Sequence, residues 1–191
     1  MKITVFTPKY NRAHTLGRVY ESLLNQTCKD FIWLIVDDGS IDNSKDIIDN
    51  WILEGELQIE YHYKPNGGKH TAMKLAFEIT KTKYLIGLDS DDQMAENAIE
   101  VFLNEWEIIE NTKLEEKIAE IRALSRNING DLIGNFHFPN NIHYFDLTWH
   151  EMVLKKNNFN ECISCWNVNK LRECVQIPTK FWLSERANHF G

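Results

Sequence analysis

Four short apolar runs, each followed by a stretch with helical spacing, constrain this chain more than any other feature. The runs are "ITVFT" at 3–7, "FIWLIV" at 31–36, "LQIEYHY" at 57–63 and "KYLIGL" at 83–88. The first, second and fourth read as strands covered on both faces, because they are apolar throughout instead of alternating. Between the runs, Leu16, Val19, Tyr20, Leu23 and Leu24, then Ile47, Ile48, Trp51 and Ile52, then Ala72, Leu75, Ala76 and Ile79 recur at the spacing of one helix face. Strands alternating with helices through short connections call for crossovers of one hand and a mostly parallel central sheet flanked by helices, an α/β fold.

Beyond about residue 95 the alternation fades. "ENAIEVFLNEWEII" reads as a helix, "KIAEIRAL" and "CISCWNV" as strands and "NKLREC" as a short helix, with no pattern that orders them on the sheet. No Pro/Gly/Ser-rich linker divides the 191 residues, so one domain over 1–191 is expected, and the stop at "SERANHFG" leaves room for continuation. With 43% hydrophobic residues the chain can bury a real core.

The formal net charge of -7 argues against nucleic acid as a partner, since that binding needs clustered Lys and Arg facing phosphates. The apolar run after Met1 is too short for a signal-peptide core, and no later run reaches membrane-spanning length. The expectation is a cytoplasmic protein, at most peripheral to the inner face of the membrane through a partner or a further segment. Cys28, Cys162, Cys165 and Cys174 supply one C-x-x-C, but no second ligand pair at zinc spacing, so packed thiols are the reading.

In parallel sheets ligands bind beyond the carboxyl ends of the strands. The loops after the first, second and fourth strands hold Pro8 to Arg12, Asp37 to Ser40 and Asp89 to Asp92. Three carboxylates within four positions in "LDSDD" repel one another unless water or a cation intervenes. Mg2+ and Mn2+ favour carboxylate oxygen, and one or two carboxylates with substrate phosphates suffice for Mg2+. Asp92 is expected to cap the next helix, leaving Asp89 and Asp91 for function. "PNGGKHT" is no Walker loop, because Tyr63 stands where that pattern requires glycine. Gly67 and Gly68 instead permit a tight turn that carries Lys69 toward a diphosphate, or simply a strand-to-helix turn with a solvated lysine.

The ordered motifs "TVFTPKYNRAHTLGRVYESLLNQTCKDFIWLIVDDGSIDNS", "KPNGGKHTAMKLA" and "YLIGLDSDD" resemble the bacterial family-2 glycosyltransferases, over roughly the first half of the chain. The resemblance implies a GT-A, Rossmann-like fold. It also implies a UDP-sugar donor, inverting transfer to a saccharide or lipid-linked saccharide in surface-polysaccharide assembly, and a Mn2+ or Mg2+ cofactor. By position, Pro8, Tyr10 and Arg12 would line the nucleoside pocket, with Tyr10 stacking on the base and Asp38 accepting from a ring N–H. Lys69 would approach the diphosphate, Asp89 and Ser90 the ribose and sugar, and Asp91, with Asp89, the metal. The family's downstream acidic motif matches "FWLSER", which nominates Glu185 as the general base, with Glu161, Glu173 and Asp146 as competitors. A sugar-nucleotide nucleotidyltransferase fits less well, because "TPKYNR" replaces its glycine-rich triphosphate loop. A donor-binding module without turnover is the alternative from another class.

Overall fold

The computed structural model describes residues 1–112, 116–134 and 161–174. Its elements run β1 (Ile3–Lys9), α1 (Ala13–Leu24), β2 (Phe31–Asp37), α2 (Ser44–Glu54), β3 (Ile59–Tyr63), α3 (Lys69–Ile79), β4 (Tyr84–Gly87), α4 (Ala98–Glu110), β5 (Glu120–Leu124), β6 (Cys162–Asn167) and α5 (Val168–Cys174). The strands form one six-stranded sheet in the order β3-β2-β1-β4-β6-β5. β1 pairs in parallel with β2 and β4, and β2 with β3. β6 joins β4 antiparallel. The mostly parallel α/β sheet expected from the apolar runs is present, and the structure supplies the order that the pattern after residue 95 left open.

All seven residues of β1 are buried, which follows from its place between β2 and β4. Successive side chains alternate between the sheet's faces. On one face Phe6, Leu34, Val36 and Leu85 meet Ala72 and Ala76 of α3, two small residues that let the helix lie close to the strands. On the other, Trp33 is fully buried against Tyr20 of α1 and Trp51 of α2. The Tyr20 and Trp51 rings stack 4.3 Å apart. Ile52, placed on the same face by its spacing, is left 42% exposed, so the covered face of α2 is narrower than the pattern suggested.

Trp166 on β6 packs edge-on to Phe77, and a side chain at Gly87 would stand 3.0 Å from its ring. Cys165 is fully buried, accepts the Trp106 indole N–H at 3.2 Å, and has its thiol pushed up to about 12 by burial. That is the packed-thiol reading. Asp92 does not cap α4: that helix starts at Ala98 behind Asn97, while the Asp92 N–H bonds back to the Asp89 carbonyl.

The described residues fall into two compact units, 1–121 with 165–174 and 122–134 with 161–164. In the second, the Ser125 N–H donates to Glu161 O and the Ile133 N–H to Ser125 O, around a turn closed by Asn127 and Asp131. No helix among the described residues is long and apolar enough to cross a membrane.

Candidate donor site

The loops after β1, β2, β3 and β4 all leave the same edge of the first unit, because those strands are parallel. Each candidate residue in this unit can therefore be followed to that edge. Pro8 lies in β1 itself, buried and in register with Val36. Tyr10 follows at 49% exposure, with its ring available to a ligand. Arg12 closes the loop before α1, its guanidinium 3.9 Å from the Asp91 carboxylate. The Lys69 ammonium donates to Asp89 at 2.7 Å. Ser90, between the two aspartates, is turned inward and is only 7% exposed.

The structure thus brings Arg12 and Asp91 together, and Lys69 and Asp89, although each pair is distant in sequence. All four side chains are roughly half exposed, so these pairs are weak and exchangeable.

Asp38 is only 4% exposed and is held from one side. Its Oδ1 accepts the Gly67 N–H at 3.0 Å and a hydrogen bond from Lys64, and its Oδ2 accepts the Gly68 N–H at 2.6 Å. A carboxylate offers about four lone-pair sites. Protein donors occupy most of those on Asp38, so any further donor has to use the remaining direction or displace one of them. The same bonds fix the turn into α3. Gly68 has φ +90, a conformation that costs glycine little, and the backbone of Asn66 comes within 2.7 Å of where a side chain on Gly39 would sit.

Below this rim lies a buried polar cluster. The Lys9 ammonium, fully buried, donates to Asp37 Oδ2 at 2.6 Å and to Ser44 Oγ. The Tyr61 hydroxyl donates to the same Oδ2 at 2.7 Å, and the Ser40 N–H to Oδ1 at 2.8 Å. Burial opposes ionisation of Asp37, but the bonds from Lys9, Tyr61 and Ser40 outweigh it and hold the carboxyl below its ordinary value. Burial and the Asp37 charge together raise the Tyr61 phenol. Lys9, Asp37 and Tyr61 were not among the expected site residues. One signal was available: Lys9 and Asp37 end two adjacent apolar strands with opposite charges, and the parallel register sets them side by side.

Glu185 with the rest of "FWLSER", and Asp146 in a separate stretch, lie outside the described residues. Among the described residues no group of three or more His, Cys, Asp and Glu side chains could hold a metal ion. Asp89 and Asp91 supply hard oxygen donors for a cation shared with phosphates, which needs only one or two carboxylates. That donor set fits Mg2+ or Mn2+ beside a diphosphate and does not fit a metal caged by these side chains alone.

A model of the family described as Glycosyl transferase family 2 matches residues 4–112, the stretch that carries all four loops. The chain belongs to glycosyl transferase family 2. It is 35% identical over 141 residues to a chondroitin synthase from Pasteurella multocida (strain Pm70), covering 72% of this chain and 14% of that one. The crystal structure of S. aureus TarS 1-349 in complex with UDP-GlcNAc matches with a TM-score of 0.65 at 18% identity, over 91% of this chain and 47% of that one. The mannosyltransferase PcManGT from Pyrobaculum calidifontis, in complex with GDP-Man and Mn2+, matches with a TM-score of 0.64 at 14% identity, over 94% of this chain and 48% of that one. These likenesses identify the sheet as that of a GT-A glycosyltransferase. The family-2 chain spans less than half the length of each of these three proteins.

Proposed function

We propose that this family-2 chain is the donor-binding part of a hexosyl-transferring enzyme that takes a sugar from a UDP-sugar and passes it, with inversion, to a saccharide or lipid-linked saccharide. The observation that carries the reading is the convergence of Tyr10, Arg12, Asp38, Lys69, Asp89, Ser90 and Asp91 on the carboxyl edge of one parallel sheet. The UDP-GlcNAc bound by TarS supports a UDP-linked donor. The chondroitin synthase relative supports a saccharide acceptor and a role in surface polysaccharide assembly. The same reading assigns the chain to the cytoplasm, at or near the inner face of the membrane.

In this proposal Tyr10 offers its exposed ring to the base, and Asp38 offers its remaining lone pair to a ring N–H. Arg12, paired with Asp91 in the structure, lines the nucleoside pocket with Pro8, and Lys69, paired with Asp89, turns toward the diphosphate. Asp91 and Asp89 hold Mn2+ or Mg2+, as the Mn2+ in PcManGT supports. Bound there, the cation supplies Lewis-acid stabilisation of the charge that builds on the departing diphosphate. An acceptor hydroxyl attacks the anomeric carbon from the face opposite the nucleotide, the bond to the diphosphate oxygen breaks, and the hydroxyl proton passes to a carboxylate. That carboxylate is assigned to Glu185 on the match of "FWLSER" to the family's acidic motif.

A panel of UDP- and GDP-sugars, each with Mn2+ and with or without saccharide acceptors, tests the proposal through release of the nucleotide. Turnover with a UDP-sugar is the expected result, and Glu185→Gln should abolish it while UDP affinity stays within about threefold. UDP binding with no turnover, from this chain and from any longer form, points to the module without catalysis.

A further inference from the structure

The bonds around Asp37 continue well past the Lys9 ammonium. Oδ1 of Asp37 accepts the Ser40 N–H, and the Ser40 hydroxyl oxygen accepts the Asn11 N–H at 2.8 Å. The Asn11 side-chain oxygen then accepts the Ile41 N–H at 2.9 Å, so the two loops hold each other through reciprocal bonds. Asn11 needs that support: its φ of 52 lies in the left-handed region, where no other described non-glycine residue stands. A second branch leaves Lys9 through the Ser44 hydroxyl to Oδ1 of Asp42, whose Oδ2 accepts the Ala13 N–H at 2.9 Å. Asp38 is tied in as well, because its N–H donates to the Lys9 carbonyl at 2.8 Å.

Tyr10 and Arg12 are thus bracketed by residues whose backbones trace back to one buried ion pair. The pair itself is weak evidence for stability, since desolvating two charges costs about as much as their attraction returns. Its location is more telling. Lys9 is fully buried and 2.6 Å from Asp37, directly beneath the three residues assigned to the nucleoside, and it has no route to a ligand of its own.

We propose that Lys9 and Asp37 are positioning residues for the nucleotide: they set the backbone of residues 10–12 and 38–41 so that Tyr10, Arg12 and Asp38 stand in their binding arrangement before any ligand arrives. This rests on the donor reading above. Fixing these loops in advance removes an ordering cost that binding would otherwise bear. Tyr61, which reaches Asp37 from β3, extends the same support to the third strand.

The test compares wild-type protein with Lys9→Met, Asp37→Asn and the double variant, at a temperature where circular dichroism shows each folded. Amide hydrogen exchange is read without ligand, and UDP affinity is titrated with Mn2+ present. Each single variant should speed exchange at Asn11, Ala13, Ser40 and Ile41 by about tenfold or more while Val5 and Ile35 in the strands keep their protection, and should weaken UDP by about tenfold. The double variant, which leaves no unpaired buried charge and keeps an acceptor at position 37, should regain most of the UDP affinity lost in Lys9→Met. A purely structural pair predicts lower melting temperatures with unchanged exchange in the two loops and unchanged UDP affinity per folded molecule. That result, with UDP still bound by the wild type, overturns the inference and leaves the donor reading standing. No uptake of UDP by the wild-type protein overturns both.

Discussion

The Lys69 ammonium sits 2.7 Å from the Asp89 carboxylate, so a residue assigned to the diphosphate neutralises one assigned to the metal. Without a ligand, the pair lowers the repulsion among the "LDSDD" carboxylates. With one, a cation and Lys69 compete for the same oxygens. Lys69→Met should therefore tighten Mn2+ on the nucleotide-free protein while weakening UDP. Pairs this exposed contribute up to about 1 kcal/mol, so the gain in Mn2+ affinity should be no more than about fivefold. Electron paramagnetic resonance of free Mn2+ measures it, and weaker Mn2+ binding in the variant would contradict the competition.

The Lys9 and Asp37 pair gives a stability prediction with a sign. Asp37 is held below its ordinary value of 3.8, so its contribution is fully present above that value and is lost as pH falls through the lower, folded one. Asp42 is held low as well, by bonds from Ser44 and Ala13 that outweigh burial. Stability should accordingly be flat near neutrality and fall below about pH 4. Lys9→Met, which strands a buried carboxylate, should cost about 3–5 kcal/mol in urea unfolding at pH 7, and the double variant with Asp37→Asn should cost much less than the sum of the singles.

Asp38 holds the Gly67 and Gly68 amides at 3.0 and 2.6 Å. Asp38→Asn turns one of its two acceptors into a donor facing N–H groups. The turn into α3 should loosen by about 1–3 kcal/mol, the cost of leaving such a group unpaired. Faster amide exchange at Gly67 and Gly68 together with weaker UDP binding would show it. Unchanged exchange would mean that Lys64, which donates to the Pro65 carbonyl at 2.7 Å, and Thr71, whose hydroxyl donates to the Gly68 carbonyl at 2.8 Å, hold the turn without the carboxylate.

The sheet was readable because β1, β2 and β4 are buried on both faces, and complete burial leaves an uninterrupted apolar run. Strand order after β4 was not readable, because the alternation of strand and helix patterns fades there and the pairing of β4 with β6 joins residues far apart in the chain. The convergence of three loops followed from parallel strands alone. Which side chains meet there did not, since the Arg12 and Lys69 pairings with Asp91 and Asp89 depend on how each loop leaves its strand. The expectation for Asp92 failed because an aspartate before a helix pattern resembles a cap, whereas a connection that ends in a turn at residues 96–97 separates it from α4, which begins at Ala98. The buried lysine was hidden by its place at the end of an apolar run, where a strand-end lysine is usually solvated.

The central claim is that "LDSDD" holds a cation for a nucleoside diphosphate, with Asp91 as the principal ligand. Isothermal titration of UDP into wild-type and Asp91→Ala protein, with Mn2+ and with chelator, tests it most directly. The account predicts binding that depends on Mn2+ in the wild type and is lost, by about a hundredfold or more, in a variant whose circular dichroism is unchanged. Undiminished Mn2+-dependent UDP affinity in Asp91→Ala would contradict it.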